Sequence, residues 1–83
     1  MEQVTKCTSA LRLLLARGET NGIPLAEKAL DDLVEATPRV RQTVALDDVR
    51  AVVQEHRRTA EGSQLGLADT VNDYIEKLMR GLE

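Results

Sequence analysis

LADTVNDYIEKLMRGL, residues 67–82, is the most regular stretch of this chain. Its apolar residues Leu67, Val71, Tyr74, Ile75, Leu78, Met79 and Leu82 recur at steps of three and four, the repeat of one face of an α-helix. Charged and polar side chains fill the positions between them. The spacing predicts a helix near 66–82. Asp69 or Thr70 would cap or charge its start, and Gly66 leaves open whether it begins at Ser63 or after the glycine.

Three more helices emerge from the same reading toward the N-terminus. Leu46, Val49, Val52, Val53 and His56 share a face and predict a helix near 46–60. Asp47 and Asp48 would sit in its first turn and Arg57 and Arg58 in its last, both matched to the helix dipole; Glu61-Gly62-Ser63 breaks it. Leu25, Ala29, Leu30, Leu33 and Val34 predict a helix near 24–36, opened by Pro24 and closed before Pro38. Val4, Cys7, Leu11, Leu14 and Leu15 predict one near 3–17, with Gly18 as its stop. Between the second and third lies Arg39-Val40-Arg41-Gln42-Thr43-Val44, polar and β-branched in alternation. It reads either as an extended piece or as a connector, with Thr43 as an N-cap of the third helix. The expected fold is all-α: a small four-helix bundle, or two packed helical hairpins, in a single helical domain spanning 1–83.

The chain has 83 residues with no Phe, no Trp and a single Tyr. Its core must therefore be built from Leu, Val, Ile, Ala and Met. Aromatic side chains contribute the largest burial per residue, so a thin aliphatic core points to self-association, with a homodimer as the simplest form. The single cysteine excludes an intrachain disulfide and a Cys-rich metal site. Cys7 reads as a small buried hydrophobe, which fits a cytoplasmic setting. The longest apolar stretch, Leu13 to Ala16, is far short of the roughly 20 residues of a membrane span. The net charge of −3 is uneven: residues 39–60 carry five arginines against three acids, between two acidic flanks.

Chemistry-bearing residues are sparse. His56 is the only histidine and lies on an apolar face beside two arginines. Asp31-Asp32 and Asp47-Asp48 are sequence neighbours, so on a helix their side chains diverge by about 100°. Asp69, Asp73 and Glu76 do share a face, as a solvated acidic surface or as an inhibitor's mimic of nucleic acid. The glycines have neither P-loop nor dinucleotide spacing. No catalytic residue, cofactor site or metal site is expected, and the chain is not read as an enzyme.

Residues 41–81 resemble the ribbon-helix-helix family of DNA-binding regulators and antitoxins. The matching pieces are the run Arg41-Gln42-Thr43-Val44-Ala45-Leu46, a helix, the turn Gly66-Leu67-Ala68-Asp69-Thr70 and a final helix from Val71. The resemblance implies a dimer whose ribbon reads DNA through Arg41, Thr43 and Ala45, with a phosphate held near Thr70 at the start of the last helix. The departures are a Gln42 facing the dimer core, a long segment before the ribbon and a net negative charge. The expected function is therefore a protein–protein interaction module, such as an adaptor, a chaperone-like protein or an inhibitor. Its partner, another protein or a second copy, would meet Tyr74, Ile75, Leu78 and Met79, where a tyrosine and a methionine suit an interface. The DNA-binding dimer using Arg39, Arg41 and Thr43 is the alternative.

Overall fold

Four helices account for nearly all of the chain in the computed structural model, which describes residues 2–82. They are α1 (Glu2–Arg17), α2 (Ile23–Ala36), α3 (Arg39–Thr59) and α4 (Ser63–Gly81), with a short 3₁₀ turn at Thr20–Gly22 ahead of α2. No strand forms among the described residues. All four helices feed one core cluster, and α1 touches α3 and α4 as well as α2, so the chain is a four-helix bundle rather than two separate hairpins. The radius of gyration, 11.7 Å, matches the value of about 12 Å expected for a compact chain of this length.

The core is aliphatic. Leu11 and Leu15 of α1, Leu30 of α2, Leu46, Val49 and Val53 of α3 and Ile75 of α4 have no exposed surface. Cys7 is buried among them. These are the stripe positions that the three- and four-residue spacing marks. Stripe edges such as Leu14, Val34, Tyr74 and Leu78 are half-buried against the cluster.

Helix ends decide how the bundle closes. Gly18 terminates α1 with a left-handed φ of +65°, and its amide donates to Leu14 O at 3.1 Å. The start of α4 lies directly over it: a β-carbon on Gly18 would come within 2.6 Å of Gln64 Cγ. Gln64 also donates its side-chain amide to Ala16 O at 2.8 Å, satisfying a carbonyl that the end of α1 leaves open. The α2–α3 corner is closed in a similar way. Thr37 Oγ1 donates to Leu33 O at 2.6 Å, and Gln42 Nε2 donates to Val34 O at 2.8 Å and Thr37 O at 3.1 Å.

That corner corrects the sequence reading of residues 39–45. The segment is neither extended nor a connector: α3 begins at Arg39, about two turns before the expected 46. Its N-cap is Pro38, not Thr43. Two causes combine. Gln42, Ala45, Leu46 and Val49 continue the inward stripe at helical spacing, and the Gln42 side-chain amide reaches back to Val34 O of α2 and to Thr37 O at its C-cap. Asp47 and Asp48 therefore lie in the middle of α3, both exposed, and Asp47 pairs with Arg50 at 2.6 Å instead of capping the helix start. At the other end Arg57 and Arg58 do occupy the last turn. Helix α4 begins at Ser63, which places Asp69 and Thr70 in its second turn rather than at its start. Thr70 Oγ1 donates back to Gly66 O at 3.0 Å, and Asp69 accepts an ion pair from Arg57 Nε at 2.5 Å that ties α4 to α3.

Candidate protein-docking face

The two turns of α3 that the sequence leaves ambiguous carry two exposed valines. Val40 and Val44 stand one turn apart on the solvent side of the helix, 88% and 57% exposed. Their position is set by the helical register. Gln42, Ala45 and Leu46 turn toward the bundle, so residues four apart on the opposite side turn to water together. Beside Val44 lies a cleft of about 330 Å³ between the start of α1 and the α2–α3 corner, lined by Val4, Ala36, Pro38, Arg41, Val44 and Ala45. It shares Gln3 and Ala36 with a second groove, of about 410 Å³, between α1 and α2.

The electrostatics of this face are unusual. The first turn of α3 holds no acidic residue and does hold Arg39 and Arg41, two cations at the positive end of a helix dipole. Each such placement costs about 0.3–1 kcal/mol. Neither arginine has an ion-pair partner among the described residues. An apolar patch and two dipole-opposed cations thus coincide on a corner held rigid by Thr37 and Gln42. Departures from local preference of this kind concentrate where a surface is used.

The residues singled out from sequence fall elsewhere or change meaning. Ile75, assigned to the partner surface, has no exposure and belongs to the core. Tyr74 is half-buried, and its hydroxyl donates to Asp31 Oδ1 at 2.7 Å, linking α4 to α2. That bond, with smaller contributions from burial and from the nearby charges of Asp31 and Glu27, pushes the Tyr74 hydroxyl up from 10.0 to about 12. Leu78 and Met79 are half-buried against the core cluster. The expected docking stripe of α4 is therefore largely the inner face of the bundle. The ribbon that the DNA-binding alternative requires is helix here, and Arg39, Arg41 and Thr43 are exposed on its first turn and a half. Of the acidic trio, Asp73 and Glu76 are exposed, while the charge of Asp69 is offset by Arg57.

The remaining chemistry-bearing side chains are dispersed. Cys7 is raised from 9.0 to about 11, first by burial and second by the charge of Asp32, which disfavours the nucleophilic thiolate. His56 is half-buried near the end of α3, beside a shallow cleft with Arg12, Val52, Glu55 and Thr59. No three His, Cys, Asp or Glu side chains converge among the described residues as a metal site requires. No helix among them is long and apolar enough to cross a membrane.

The sequence reading places Val4, Pro38, Val40 and Val44 on separate elements and does not bring them to one surface. Helical spacing does run backward from Val49 through Leu46, Ala45 and Gln42, but residues 39–44 fit the strand period as well, so spacing by itself does not choose between them. Comparison with protein-family models, with curated proteins and with solved structures finds no match to this chain.

Proposed function

We propose that this chain is a small protein–protein interaction module that docks its partner on the α2–α3 corner, through Val40, Val44 and the adjoining cleft. The observation that carries this reading is the pairing of two exposed valines, 88% and 57% open to water, with Arg39 and Arg41 at the unfavourable end of the same helix. This pairing sets the chemistry of the partner: an amphipathic segment that presents an apolar side chain to the valines and a carboxylate to the arginines. Burying the valines removes apolar surface from water. The carboxylate meets both the guanidinium groups and the positive end of α3. A buried, unpaired Cys7 accords with a reducing, cytoplasmic setting.

A photo-reactive amino acid placed at Val40 or Val44 tests the reading in cells. Cross-linked adducts are expected at both positions and not at Leu13, which at 66% is more open than Val44 and lies on α1. The double variant Val40→Asp, Val44→Asp should lose those partners while keeping its helical circular-dichroism spectrum, because neither valine is in the core. A folded double variant that retains the same partners, or adducts that form equally from Leu13, would refute the assignment of this face.

A further inference from the structure

We infer that the partner is a second copy of this chain, paired by an antiparallel crossing of the two α3 helices about Val44. This deepens the docking reading above and rests on it. Arg41, Val44 and Asp48 are all exposed and stand at steps of three and four on one stripe of α3. Arg41 and Asp48 are seven residues apart, about 10.5 Å along the axis. Neither has an ion-pair partner among the described residues, whereas the neighbouring Asp47 is already engaged by Arg50.

A two-fold contact requires a surface that complements itself. This stripe does. With the axis beside Val44, an antiparallel crossing sets Val44 against Val44 and brings each Arg41 beside the partner's Asp48, so the ion pair forms twice. A parallel crossing would set Arg41 against Arg41 and Asp48 against Asp48, and like charges exclude it. Each incoming Asp48 carboxylate also arrives near the first turn of α3, which holds no acid of its own. The face is small, so the pairing is weak and concentration-dependent.

Sedimentation equilibrium of the purified chain, alone in low salt and at concentrations up to about 1 mM, tests this. The wild type is expected to show a monomer–dimer equilibrium. Arg41→Asp and Asp48→Arg should each weaken it about tenfold or more, since one reversal turns attraction into repulsion at both symmetric pairs. The double variant Arg41→Asp, Asp48→Arg should restore the dimer, and Val44→Asp should abolish it. Arg41, Val44 and Asp48 all face solvent, so circular dichroism should match the wild type throughout. A wild type that stays monomeric, single reversals without effect, or a double variant that fails to recover would each overturn the pairing. If the chain is monomeric but still cross-links other proteins from Val40 and Val44, self-pairing alone falls; if neither occurs, the docking face falls with it.

Discussion

Replacing Gln42 by Ala should loosen the α2–α3 corner that carries the proposed docking face, by an amount that can be worked from its bonds. The Gln42 amide donates to two carbonyls, Val34 O at 2.8 Å and Thr37 O at 3.1 Å. A net contribution of about 0.5–1.5 kcal/mol per hydrogen bond gives an upper figure near 3 kcal/mol. Two facts reduce it. Val34 O keeps a second donor, the Thr37 amide at 3.3 Å, and the site is only half-buried, so water reaches part of what is lost. The expected loss is about 1–2 kcal/mol, or roughly 4–16 °C in melting temperature for a chain of this size. Urea denaturation followed by circular dichroism measures it, with an unchanged slope if only the native state is affected. Gln42→Glu sharpens the test. At neutral pH its carboxylate cannot donate and faces the negative end of α2, so it should lose more than Gln42→Ala. The same carbonyls and dipole raise that carboxyl above its ordinary value, so part of the loss should return as the pH falls from neutral toward about 4.3, and the recovery should be complete there. A Gln42→Ala variant within about 0.3 kcal/mol of wild type would refute the claim that this amide closes the corner.

The remaining expectations concern glycine geometry and the two perturbed groups. Gly18→Ala should cost more than Gly62→Ala. Both have left-handed φ, +65° and +59°, but a β-carbon meets Gln64 at Gly18 and nothing within 4 Å at Gly62; equal losses in urea denaturation would contradict the packing of α4 over Gly18. Cys7, held at about 11 by burial and then by Asp32, should resist alkylation at pH 8 in the native state and react promptly in denaturant; rapid native labelling would show that α1 opens. Tyr74 is raised in the folded state to about 12, so its contribution to stability is complete below pH 10 and is lost as pH climbs from 10 to 12. Cys7 titrates in an overlapping alkaline range, so the comparison is with Tyr74→Phe, which should lack the Tyr74 part of that decline; identical pH profiles for the two proteins would remove the Asp31 bond from the account.

Much of the bundle is visible without coordinates because helical periodicity is local. The stripe from Leu67 to Leu82 needs only its own spacing to be read, and α1 and α2 begin and end within a residue of the positions that Gly18, Pro24 and Pro38 mark. Cys7 likewise declares its burial through neighbours on its own helix. The exposed face at the start of α3 was hidden for the opposite reason. Alternating β-branched residues in 39–44 satisfy the strand period as readily as the helical one. The choice between them is made by bonds to α2, which sequence spacing does not display.

What the chain's sequence determines by itself is thus which residues are apolar, at what period, and where glycine and proline interrupt them; those properties depend on neighbours a few positions away. Tertiary structure alone decides the start of α3 at Arg39, the bond from Tyr74 to Asp31, the burial of Ile75 and the exposure of Val40 and Val44. Each depends on residues up to 43 positions apart that meet only when the helices pack. A stripe says that a helix has an inner face. Only the packed neighbours say how wide that face is, and which of the remaining apolar side chains is left open to water.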